Sequence, residues 1–125
     1  MKFKRHYRRE EAEALLPQIR KWLETLDELR RSLEKYEVGV GSLNSGGWDT
    51  GGELINSWVK TLASIKQTLL EFYRRDIQIK DLGRGLLDFP AIIGGREVFL
   101  CWEKDEDRIE FWHELDAGYA GREPL

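Results

Sequence analysis

The sequence predicts an α+β domain, a long antiparallel helical hairpin packed on a small antiparallel β-sheet. Three observations carry this. Two stretches repeat apolar residues at alternating three- and four-residue spacings, the period of a helix face. A glycine-rich stretch separates them. The last third of the chain then changes to short apolar runs bounded by turn residues, the pattern of strands. At 125 residues one domain is the simplest division. The helical hairpin is expected over about residues 9–75, the sheet over about 76–114 and an ordered tail over 115–125.

Composition narrows the class. Hydrophobic residues make up 41% and charged residues 34%, which fits a globular core beneath wide polar helix faces. A single cysteine rules out an internal disulfide or a multi-cysteine metal knuckle. No apolar run approaches about 18 residues, so no membrane span is expected. The start, MKFKRHYRREE, lacks the apolar centre of a signal peptide, which places the protein in the cytoplasm. Net charge is −3, unevenly spread. Lys2, Lys4, Arg5, Arg8 and Arg9 stand together at the start, while residues 103–125 hold eight acids against three bases. The basic run is a candidate nucleic-acid contact, but only Phe3 and Tyr7 are there to stack on bases, so nucleic acid is disfavoured. Mutual neutralisation of the two ends is the simpler reading.

Residues 1–7 alternate weakly, as a short edge strand would. The first helix begins near Arg9, with Glu10, Glu11 and Glu13 complementing its dipole. Pro17 predicts a kink. Leu15, Ile19, Trp22, Leu26, Leu29, Leu33 and Tyr36 form a heptad seam, and the helix should stop near Val38 and Gly39. Residues 39–52 hold six glycines, in a spacing that fits no phosphate loop. They read as a flexible connector, or as a loop that orders on a ligand with Trp48 as anchor. The second helix, from about Glu53 to Arg75, carries the seam Ile55, Trp58, Leu62, Ile65, Leu69 and Phe72. Leu54, Val59 and Leu70 widen its apolar stripe.

Strands are expected at Ile77–Leu82, Leu86–Ile93, Glu97–Glu103 and Arg108–Glu114. Gly94-Gly95 marks a tight turn, and Pro90 marks an edge, a bulge or an interruption. The register of the last hairpin decides the chemistry. With an even turn at 104–107, Cys101 faces Glu110 and Val98 faces His113, so Cys101 and His113 point to opposite sides. An odd turn or a bulge reverses this. On the even register Phe99, Cys101 and Trp112 lie on the outer face. Phe99 and Trp112, with Trp48, are therefore candidate partner-surface residues.

Chemistry-bearing residues gather in the same region. Asp81 and Asp88 flank the turn DLGRGLLD, and Glu103, His113 and Asp116 stand near Cys101 in sequence. Asp81, Asp88, Cys101, Glu103, His113 and Asp116 are candidate metal ligands. Each also has an ordinary structural role open to it, as a turn cap, a salt-bridge partner or a buried thiol. No HExxH, GxSxG or EF-hand loop occurs. No catalytic residue and no cofactor is predicted.

The segment GLLDFPAIIGGREVFLCWEKDEDRIEFWHELDAGYAGREPL, residues 85–125, resembles the closing motif of the bacterial and archaeal domain-of-unknown-function family 2203. EEAEALLP at residues 10–17 resembles that family's opening helix. Two departures stand out. Arg8 occupies a position where the family tends to carry a capping Ser or Thr, and Asp76 one where it tends to carry Gly. The resemblance implies no activity and carries over no catalytic residue.

The heptad seams, the aromatic outer face and the missing catalytic signatures favour a non-enzymatic interaction or scaffold domain acting as a homodimer, with an unknown protein partner as a further possibility. The alternatives are a metal-binding protein or small enzyme using the carboxylate, His and Cys residues of the sheet, and nucleic-acid binding through the basic start.

Overall fold

The structure, a computed structural model, describes residues 1–41 and 48–125, with the side chains of 48–51 outside the description. Two helices, α1 (Arg9–Gly41) and α2 (Trp48–Tyr73), precede five strands. These are β1 (Gln78–Asp81), β2 (Leu86–Ile93), β3 (Arg96–Trp102), β4 (Phe111–Glu114) and β5 (Glu123–Pro124). The strands form one antiparallel sheet in chain order. The chain is thus α+β, as its periodicities predict. No described helix is long and apolar enough to cross a membrane.

The chain divides into two units, residues 22–70 and residues 1–21 with 71–125. The first is a helical hairpin. Gly39 lies opposite Leu54, whose Cδ2 would stand 2.8 Å from a β-carbon at 39, so the helices run antiparallel. Both helices extend further than expected. α1 continues through Pro17 to Gly41 and α2 begins at Trp48, so only residues 42–47 of the expected connector lie outside the described residues. The buried stripe of α1 is Ala12, Leu16, Ile19, Leu23 and Leu26, and five of the seven expected seam residues are only partly buried. Two overlapping heptad patterns share Ile19 and Leu26, and periodicity cannot tell which one burial selects.

The second unit is the sheet with the start of α1. One sheet face carries Leu87, Phe89, Ala91, Val98, Leu100 and Trp102, all buried. The beginning of α1 and Tyr7, two residues before it, cover this face. Tyr7 meets Phe89 edge-on at 5.5 Å, and the Arg20 guanidinium lies 5.0 Å from the Trp102 ring. Burying each such side chain stabilises by about 1.5–3 kcal/mol. Residues 1–7 form no strand, but the Tyr7 N–H donates to the Pro90 carbonyl at 2.7 Å. That bond explains how Pro90 fits an unbroken β2. A residue's N–H and C=O point to the same side of a strand, so its missing donor faces the flank that β1 does not reach. Gly94 and Gly95 close β2 and β3 with φ of 59° and 77°, the two-residue turn that needs positive φ twice.

Asp76 also has a positive φ, 58°. The chain reverses there between α2 and β1, and the Ile77 N–H returns to the Phe72 carbonyl at 3.1 Å. A side chain in this conformation is strained, which is the reason glycine suits the position. At Arg8 the missing cap is half replaced, because Glu11 Oε1 accepts the Arg8 backbone N–H at 2.9 Å. That bond, first among the causes, holds the Glu11 carboxyl below its usual range. The tail is more regular than the loop expected, with a 3-10 turn at Tyr119–Gly121 and β5 paired to β4.

Candidate metal centre

The expected register of the β3–β4 hairpin is off by one residue. Cys101 pairs with Phe111 and Phe99 with His113, in place of Cys101 with Glu110. The connection is not a four-residue turn. β3 ends at Trp102 and β4 starts at Phe111. Within this loop Ile109 is fully buried, its N–H donates to Glu13 at 3.3 Å, and the Trp102 indole donates to the Glu106 carbonyl at 2.9 Å. Arg20 donates to the Lys104 and Glu106 carbonyls at 2.7 and 2.8 Å, fastening the loop to α1. Ile109 belongs to the core as a loop residue, which the alternating pattern cannot express.

The shift puts Cys101 and His113 on the same face, two residues apart across neighbouring strands. Asp88 joins them, since it pairs with Cys101 from the other side. The Asp88 and His113 side chains reach towards each other over β3, and Asp88 Oδ2 stands 2.9 Å from His113 Nε2. One ligand atom from each of Asp88, Cys101 and His113 lies within 4.8 Å of the others, and all three residues are at most 2% exposed. The remaining candidates stand elsewhere. Asp81 caps its own turn through the Arg84 N–H at 3.1 Å. Glu103 pairs with Arg84 at 2.8 Å. Asp116 is exposed.

Hydrogen bonding gives the cluster a direction. The carbonyl of Glu114 can only accept, so His113 Nδ1–H donates to it, at 2.7 Å. That leaves Nε2 turned to Asp88, as a donor in the imidazolium or as a bare lone pair. Asp88 Oδ1 is buried with no hydrogen-bond partner. An orphaned carboxylate oxygen inside a protein is costly and calls for a missing positive group or donor. The Cys101 S–H, a weak donor, interacts with the Asp88 carboxylate and meets that need only in part. Burial first, and the Asp88 charge second, push that thiol up to about 12. It is fully protonated at neutral pH, which excludes a resting thiolate nucleophile.

The cluster forms the floor of a pocket of about 190 Å³ whose lining includes Lys80, Leu86, Phe99, Leu115 and Tyr119. Lys80 sits where the β1–β2 register breaks, between Ile79 and Asp81. Such bulges re-aim side chains beside sites. Its ammonium lies 5.2 Å from the Phe99 ring centre. Tyr119 is held between two guanidiniums, Arg84 at 4.4 Å and Arg122 at 4.5 Å. Arg122 in turn donates to Glu106 Oε2 at 2.5 Å.

The face expected to meet a partner is covered by the chain itself. Phe99 is 3% exposed, beneath Phe3 at 5.4 Å and beside His113 at 5.5 Å. Trp112 pairs with Leu100 on the helix-covered side, and the Trp48 side chain lies outside the described residues. Phe3 is placed by Glu97, whose carboxylate accepts the backbone N–H groups of Lys2 and Phe3 at 2.8 and 3.0 Å and faces His6 Nε2 at 2.7 Å. Burial pushes the Glu97 carboxyl up, but the His6 and backbone hydrogen bonds outweigh it and bring it down to about 2. Of the basic candidates, Arg8 pairs with Glu11 and Arg9 with Glu13, Arg5 lies over the Tyr7 ring, and Lys2, Lys4 and Arg5 are exposed. The sequence reading missed Lys80, Tyr119 and the Glu114 carbonyl. A bulge, a tail fold and a main-chain contact leave no signature in residue type.

No curated protein and no solved structure matches the chain. Residues 5–125 match a family described as uncharacterized conserved protein, DUF2203. That match spans nearly the whole chain and agrees with the motifs at residues 10–17 and 85–125. The chain therefore belongs to the DUF2203 family.

Proposed function

We propose that the protein binds one divalent transition metal ion through Asp88, Cys101 and His113. The observation that carries this is the buried, unpartnered Asp88 Oδ1 beside an imidazole nitrogen and a thiol. A carboxylate, an imidazole and a thiolate form a ligand set suited to zinc or a chemically similar ion. The Glu114 carbonyl would orient His113 from behind, as the outer shell of such sites does. A tetrahedral ion spreads ligand atoms by roughly 3.3–3.7 Å, so these side chains need to adjust by about 1 Å. The ion's charge would deprotonate Cys101. Three protein ligands leave a fourth position, facing the pocket, for water or a small ligand. Cobalt(II) tests this reading through its thiolate charge-transfer absorption. That band is expected on adding cobalt to the native protein and should be lost in Cys101→Ser. Native protein without the band contradicts the site.

A second reading, self-association, has its own observation. Ile55, Val59 and Leu62 follow one another by four and three residues on α2 and are 42%, 52% and 40% exposed. An apolar stripe left in water suits a second copy of the chain. Sedimentation of native protein and Leu62→Lys tests it. A concentration-dependent dimer weakened by the substitution supports it, and a monomer at all concentrations rules it out.

A further inference from the structure

We infer that the pocket above the metal takes a small monocarboxylate, with one end on the ion and Lys80 fixing its charge. This rests on the metal reading. The argument begins with size. The pocket holds about 190 Å³. That is below the range of about 300–1,000 Å³ for drug-sized or cofactor-sized ligands. A nucleotide or a peptide would not fit within it.

Charge comes next. A dication with the Asp88 carboxylate and the Cys101 thiolate is neutral overall. Lys80 then gives the pocket its sign, being the one charged lining side chain among the described residues apart from the ligands. It joins the lining from the register break on β1, with its ammonium 5.2 Å from the centre of the Phe99 ring. An anion reaching the fourth position meets a metal below and an ammonium beside it. The walls decide the remainder of the ligand. Leu86, Phe99, Leu115 and Ala117 offer no hydrogen bond from their side chains, so they suit a short hydrocarbon chain and reject a second charge. Tyr119, with the guanidiniums of Arg84 and Arg122 against its ring, completes the lining.

The test uses cobalt-loaded full-length protein with butyrate as probe and butyramide as its neutral counterpart, read on the fraction that carries cobalt. Butyrate is expected to shift the cobalt absorption bands saturably, and butyramide to leave them in place. Lys80→Met should weaken the butyrate response about tenfold, the loss of one charge-assisted contact. Cobalt uptake with no butyrate response overturns this inference and leaves the metal reading standing. An equal response to butyramide, or an undiminished one in Lys80→Met, overturns the role of charge. Failure to take up cobalt removes both readings.

Discussion

His113 is held from two sides, by the Glu114 carbonyl at Nδ1 and by Asp88 Oδ2 at Nε2, 2.9 Å away. Both bonds lie within a sheet face that the N-terminal segment and the tail cover. His113→Ala strips a buried carboxylate of its partner. Leaving a buried polar group without its partner costs about 1–3 kcal/mol, and more when that group is charged. Urea unfolding of the metal-free protein should show a loss of that order. A loss under about 1 kcal/mol would mean that water reaches Asp88 freely.

Glu97 makes the N-terminal segment sensitive to acid. Its carboxyl is lowered to about 2 from a usual 4.5. A lowered acid contributes stability above its unfolded value and loses it as pH falls through the folded one. The segment should therefore stay docked at pH 5 and loosen between about 4.5 and 2. Hydrogen exchange at the Lys2 and Phe3 amides reads this directly. Glu97→Gln should expose both amides at neutral pH as well.

Cys101 behaves in the opposite sense. A thiol raised to about 12 from 9.0 adds stability below pH 9 that is lost as pH climbs towards 12. In the metal-free native protein it should resist a thiol reagent at pH 8 and react only on unfolding. Labelling of the native state at the rate of a free thiol would contradict its burial.

Arg8 and Asp76 each carry a local cost, a missing side-chain cap at one and a positive φ at the other. Arg8→Ser supplies the missing side-chain cap and should stabilise by about 0.5–1 kcal/mol, since Glu11 already provides the reciprocal bond. At Asp76, φ of 58° makes a β-branched residue costly, so Asp76→Val should destabilise by about 2 kcal/mol. Asp76→Gly relieves the φ strain but loses the bond that Asp76 Oδ2 accepts from the Arg5 N–H, 3.2 Å, and should stay within about 1 kcal/mol of native. Thermal unfolding of the three variants checks the order.

These positions also show what the sequence could express. Helix and strand types were legible because burial repeats with a period, and β2 runs from Leu86 to Ile93 as its apolar run predicts. The Gly94-Gly95 turn was legible because only its backbone angles need two glycines. The candidate site was legible as residue types, since Asp88, Cys101 and His113 all stand in the expected set. Their convergence was not. It depends on whether Ile109 is a strand residue or a loop residue, and a single residue of register turns every side chain of β4 over. Ile109 looks the same in either role. The tail and the strap at residues 1–7 were illegible for a related reason, because Glu97, Arg84 and Arg122 fix them through long-range pairs.

Metal content tests the central claim most directly. Untagged protein, saturated with zinc and freed of excess by gel filtration, is expected to retain one zinc per chain by elemental analysis. Asp88→Asn and His113→Gln should each retain far less while keeping the native circular dichroism spectrum. Native protein that emerges without zinc, or variants that hold as much as native, would contradict a metal centre at Asp88, Cys101 and His113.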